Sequence, residues 1–410
     1  MISTFTHNPF EDTMKTPKAS SRIFAFVLLT LTLCLIAAPV SEAAADRVLH
    51  TFGGASSYPS SGLVSDGAGN YYGVTEGAVY ELSLAAGVWS YRTIQVLPAG
   101  RADFAGGNLV RDTAGNLYGS TWQGGSSGCG FIFELSPASS GSWTYSTLYN
   151  FNCTQGDHAG HTMVMDTGGN LYGVGQGGGV NDYGVAYELS PASGGGWTYT
   201  VLYNFTLAEG GGPQIGLVAD ASGNLYGANG YEIFELSPNG DGTWTESAAH
   251  VFTAEEGSNP LGDLSFDSAG NLYGTNQAGG KYEAGTAFKL TPNESGGWTS
   301  TILHSFVPKS PAGASPEGAL SIDSAGNVYG TALATNGASG YGVVFKLAFV
   351  SGVWSEHVLH TFGGTPANDG SLPEFSLYLD NAGYIFGVTA GGGSSACSTN
   401  GCGTVYEVSQ

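Results

Sequence analysis

Short apolar runs bounded by Gly, Asn, Asp, Ser or Pro follow one another from residue 47 to the end of the chain, and nowhere in that span does a helical period appear. The runs recur in fixed order. Run a ends in Asp (GLVAD, 216–220), run b is of NLYG type, run c of FELS type, and run d starts near Trp and ends in Phe (WTYTVLYNF, 197–205). The turn between a and b recurs seven times: DGAGNYYG (66–73), DTAGNLYG (112–119), DTGGNLYG (166–173), DASGNLYG (220–227), DSAGNLYG (267–274), DSAGNVYG (323–330) and DNAGYIFG (380–387). Successive copies start 46, 54, 54, 47, 56 and 57 residues apart. Run a is apolar at nearly every position, as in a strand covered on both sheet faces. Four short strands per unit, repeated radially, predict an all-β fold: a seven-bladed β-propeller of four-stranded antiparallel blades.

The chain ends bear on closure. VLHTFGG at 48–54 returns at 358–364, so the chain begins with a d run and ends with a c run. Residues 47–53 are therefore expected to join the last blade, a closure that leaves no open sheet edge.

Before the repeats, Lys15, Lys18 and Arg22 precede an apolar run from Ile23 to Ala38, followed by Ser41-Glu42-Ala43-Ala44-Ala45. This is the pattern of a secretory signal over 1–45, with Met14 a second candidate start, and it leaves a single propeller domain over 46–410. The run is shorter than a bilayer crossing needs, so no membrane insertion is expected once it is removed. Lys and Arg number 11 against 33 Asp and Glu, for a net charge of -22. Nucleic-acid binding depends on cationic patches, so nucleic acid is excluded as a partner. Aromatics at 12% with charged residues at only 11% argue against disorder.

The DxxGNLYG core, the GG…G-V-F-x-L run and the W-T…L-Y-x-F strand resemble the GloVer tandem-repeat family of secreted bacterial proteins across 47–410. The resemblance implies an exported propeller and brings no activity with it. More distantly, the a–b hairpin is similar to those of NHL and gluconolactonase-like propellers.

Most recurring polar residues read as structural. The repeat Asp can accept backbone N–H bonds across its turn while Gly supplies a positive φ. A calcium loop would need several oxygen ligands in quick succession. Six of seven tryptophans open d runs, which is a packing position, and further along the d run His50, His250, His304 and His360 fall where Tyr149 and Tyr203 sit in other copies. A c–d hairpin turning at Ser140–Gly141 puts Cys129 and Cys153 equally far from the turn, so they should pair. Cys397 and Cys402 then close the small loop CSTNGC, and export favours oxidation of both pairs.

The a–b and c–d turns should share one monotonous rim, and the d–a and b–c loops a variable one. Function concentrates in variable loops on a rigid scaffold. The candidate ligand-binding residues are therefore Arg101, Asp103, Trp122, Asp157, His158, His161, Asp182, Tyr183, Lys281, Tyr282, Glu283 and Tyr341. The cluster Asp157-His158-Ala159-Gly160-His161 is the sharpest local signal, but without a third ligand it does not define a metal site. No P-loop, HExxH or nucleophile elbow occurs, and no catalytic set is assigned. The expectation is a secreted, monomeric, non-enzymatic binding or surface-interaction propeller with a glycan or protein ligand and no cofactor. The alternative is a polysaccharide-acting hydrolase or lyase, or a lactonase-like enzyme with a channel calcium.

Overall fold

The computed structural model describes residues 46–53, 57–98, 107–139, 141–333 and 340–410. The proposed signal segment, Arg101 and Asp103 lie outside the described residues. Ala44–Gln410 forms one compact unit. It contains seven four-stranded antiparallel sheets, and among the described residues the helical content is two short 3-10 turns. No helix among them is long and apolar enough to cross a membrane.

Blades 1 to 6 each use four consecutive strands in the order a-b-c-d. Blade 7 takes a, b and c from Tyr378–Leu379, Ile385–Thr389 and Thr404–Val408, and its outer strand is Arg47–Thr51 from the start of the chain. The ring is held by seven apolar clusters, each shared by two neighbouring blades. Between blades 1 and 2, Tyr72, Val74 and Val79 meet Leu117, Phe131 and Phe133. Between blades 7 and 1, Phe386, Val388 and Val405 meet Tyr71, Tyr80 and Leu82.

The repeat residues have identifiable roles. At the a–b turn of blade 4, Asp220 Oδ1 accepts from the backbone N–H of Ser222 (2.8 Å) and Asn224 (2.9 Å). Its Oδ2 accepts from Asn224 Nδ2 (2.9 Å) and the Tyr226 hydroxyl (3.2 Å). One carboxylate thus explains Asp, Asn and Tyr in DxxGNxY, and both its oxygens are occupied by the turn. The Gly after the tyrosine sits directly across from the aromatic of strand c, as Gly274 does from Phe288. A Cβ there would enter the ring, so close approach rather than φ fixes the glycine. In blades 2 to 5 the d-strand tryptophan packs on a tyrosine of the preceding blade, as Trp143 does on Tyr72 at 5.6 Å, while Trp89 of blade 1 meets Phe386 of blade 7 at 6.0 Å. Every c–d pair carries a bulge at the same place, for example between Ala186 and Tyr187.

Candidate functional site

Among the described residues, the d–a loops on the variable rim descend to the ring axis through a recurring segment. In five blades the segment starts at a left-handed corner: Tyr58 (φ 57°), His158 (53°), Asn259 (61°), Ser315 (52°) and Leu372 (57°). The corner carbonyl accepts from the backbone N–H that follows strand b, as His158 does from Gln176 at 3.4 Å and Leu372 from Ala390 at 2.9 Å. Proline follows the corner in every one of these blades except blade 3, where Ala159 stands. The backbone is therefore uniform while the side chain at the corner changes from blade to blade. That contrast is what makes this rim variable in chemistry.

Just before the a strands, side-chain and backbone groups from different blades meet across the axis. Asn108 of blade 2 accepts at Oδ1 from the Gly62 N–H of blade 1 (2.7 Å) and donates from Nδ2 to Ser376 Oγ of blade 7 (2.7 Å). Its own backbone N–H donates to Thr162 Oγ1 of blade 3 (2.9 Å). Thr162 donates in turn to Asp263 Oδ2 of blade 5 (2.5 Å), and Asp263 Oδ1 accepts from the Gly216 N–H of blade 4 (2.9 Å). This network ties six blades together and lies at the base of a cavity of about 80 Å³. Nearer the variable rim the cavity is walled by His161, Gln214, Glu317 and Glu374.

Burial dominates its electrostatics. Burial, together with the charge of Glu317, pushes the Glu374 carboxyl up to about 7. Burial also raises Glu317, against the opposing hydrogen bond from the Gln277 amide. The enclosed His161 imidazole is held below the ordinary histidine range by burial, which outweighs the charge of Asp263. Its Nε2 and the Oε1 of Gln214 are sealed from solvent without a hydrogen-bond partner.

His161 links this cavity to the rim. Its ring lies 5.8 Å from that of Trp122, which also meets His158 edge-on at 4.7 Å. His158 Nδ1 is 2.9 Å from Asp157 Oδ1. Trp122 belongs to the b–c loop of blade 2, the other three to the d–a loop entering blade 3. The Cys129–Cys153 disulfide joins those two loops, with Cα atoms 5.4 Å apart. Ser120 Oγ fixes the base of the second loop by donating to the Ala159 carbonyl (2.5 Å), and Asp157 N–H donates to the Gly177 carbonyl (3.0 Å). The second disulfide, Cys397–Cys402, closes its loop in blade 7.

The structure thus gathers Trp122, Asp157, His158 and His161 at one place. The other sequence candidates stand apart from it. Asp182 (φ 60°) and Glu283 (φ 58°) are equivalent left-handed corners in the b–c loops of blades 3 and 5. Tyr183 is exposed beside Gly211, and Lys281 lies over the ring of Tyr282 at 5.0 Å. Tyr341 packs against Gly364. Sequence reasoning missed Gln214, Asp263, Glu317 and Glu374. The available signal was position relative to strand a, since Gln214, Glu317 and Glu374 each follow a proline by one residue.

An all-β ring with a polar axial cavity on its variable face defines the β-propeller class of binding and catalytic scaffolds. The Gloeobacter/Verrucomicrobia repeat matches residues 75–232 and 229–406, and the chain belongs to that family. No curated protein matches it. Among solved structures it is similar to a streptogramin B lyase, at TM-score 0.56 and 12% identity over 89% of this chain and 97% of that one. It is also similar to an ancestral GH74 enzyme (TM-score 0.56, 10% identity, 86% of this chain, 48% of that one). The extracellular domain of a hybrid two-component system from B. thetaiotaomicron is a third (TM-score 0.52, 12% identity, 88% and 41%). At these identities the likeness is one of fold alone.

Proposed function

We propose that this protein is an exported, non-enzymatic propeller that binds a glycan or protein ligand over the axial cavity on its variable face. The observation that carries this reading is the blind cavity. Its base is a bonded network, its walls differ from blade to blade, and the half-buried Trp122 stands against the cavity-lining His161 on cross-linked loops. Aromatic side chains with a polar surround suit recognition, and a disulfide-tied loop pair binds with little ordering cost. Two disulfides fit an oxidising compartment outside the cytosol. The test is a panel of glycans and cell-surface polymers presented to the Ala44–Gln410 unit, scored for binding and for product. Saturable binding weakened about tenfold by Trp122→Ala, with no product, supports the reading. Turnover of any member overturns it.

One observation favours the enzymatic alternative. A carboxyl held near 7 beside a second carboxyl is the pattern of a glycosidase acid and its partner, and Glu374 with Glu317 has that form. Product release abolished by Glu374→Gln would establish it.

A further inference from the structure

The axial cavity contains more hydrogen-bond acceptors than donors. Glu317 and Glu374, from adjacent blades, face the same small space, and among the described residues neither forms an ion pair with Lys or Arg. Independently, Gln214 Oε1 is a buried acceptor with no donor, and His161 Nε2 is a buried ring nitrogen with no partner. Buried polar atoms without partners are costly, and like charges gathered in a cavity are costly too. A ligand that relieves both costs at once must donate several hydrogen bonds and carry positive charge.

Size and donor arrangement narrow the choice. At about 80 Å³ the cavity admits a head group, not a whole sugar or peptide. Among the described residues no group of three or more His, Cys, Asp or Glu is placed to hold a metal ion. A metal requires its oxygens packed around one point at fixed short distances, whereas an ammonium has three separate N–H donors that reach acceptors in different directions. The acceptors here come from three blades: Gln214 from blade 4, Glu317 from blade 6 and Glu374 from blade 7.

We propose that the axial cavity seats a primary ammonium group, with Glu317, Glu374 and Gln214 accepting its N–H bonds and His161 forming the wall toward Trp122. The inference rests on the channel mouth being the binding face, and it adds the chemistry of the ligand: an amine-bearing molecule. A deacetylated amino sugar and a lysine side chain both present that group.

The test is calorimetric or NMR titration of the folded Ala44–Gln410 unit with n-butylammonium, n-butanol and Ca²⁺, with glucosamine and Nα-acetyl-lysine as the two source arms. Expected is saturable binding of n-butylammonium and of at least one source arm, at least tenfold weaker in Glu374→Gln, with n-butanol not binding. Asp241→Asn, on the opposite rim, serves as control and leaves the affinity unchanged. Equal affinity for n-butanol, indifference to Glu374→Gln, or Ca²⁺ displacing the amine from the same carboxylates each overturns the proposal. A polymer that binds at Trp122 yet ignores n-butylammonium would overturn the ammonium site and leave the binding reading standing.

Discussion

Arg47 and Glu407 are 360 residues apart in the chain, and their side chains meet at 2.9 Å. The Glu407 carboxylate is buried and Arg47 half exposed, so the pair fastens the first strand of the chain to the last. Asp46 extends the seam by accepting from Ser409 N–H at 3.2 Å and lying 3.2 Å from His360 Nδ1. Arg47→Ala leaves a buried carboxylate unpaired and should cost about 1–3 kcal/mol of stability, read from denaturant melts. An unchanged midpoint would mean that the apolar cluster between blades 7 and 1 holds the seam unaided.

The same seam should respond to pH. His360 lies between Asp46 and, at 3.1 Å from Nε2, Asp369. Burial opposes its charge, but the hydrogen bonds and charges of Asp369 and Asp46 raise the imidazole above its ordinary 6.5. A raised folded value means the stabilisation is complete below 6.5 and is lost as pH rises through the folded value. Asp369 shows the reverse: burial opposes its charge, yet its hydrogen bonds lower it below 3.8, and its contribution is lost only in acid. Wild type should therefore exceed His360→Gln in melting temperature most clearly between those two ordinary values, with the gap narrowing at alkaline pH. A gap that widens with pH would contradict this account.

Gly274 stands across from Phe288 with no room for a methyl group. Gly274→Ala should destabilise the propeller by about 1–3 kcal/mol through overpacking alone, without affecting a turn. Thermal melts of this variant beside Gly240→Ala, which has open space around it, separate the two causes. Equal effects would refute the close-approach explanation of the repeat glycine.

Removing the Cys129–Cys153 bridge with paired serines should cost about 2–4 kcal/mol. Hydrogen exchange should quicken in 121–130 and 151–163 and stay unchanged in the other blades. Uniform quickening would show that the bridge supports the ring and not the two site loops.

Much of the fold was legible because each repeat residue acts locally. Asp220 closes its turn, and Gly274 admits Phe288. Such local roles recur in order and can be read without coordinates. The Cys129–Cys153 pairing was equally accessible, since hairpin register follows from the turn. The site was half legible. Trp122, His158 and His161 stood out as departures from the repeat, and they do converge. Asn108, Thr162, Asp263, Glu317 and Glu374 did not stand out, because each is an ordinary loop residue in its own blade. They become a site only when the ring brings blades together, and a linear reading does not supply that distance. Asp182 and Glu283 drew attention as isolated charges, yet they occupy one recurring turn corner whose left-handed φ is the shared feature.

The most direct test of a ligand site on the variable face is hydrogen exchange on the Ala44–Gln410 unit, with and without a bound glycan, polymer or amine from the titrations above. Protection confined to 121–130, 153–163, 213–217, 315–319 and 372–376 is the predicted result. Protection on the opposite rim, at the DxxGN turns around Asp220 and Asp267, would contradict it.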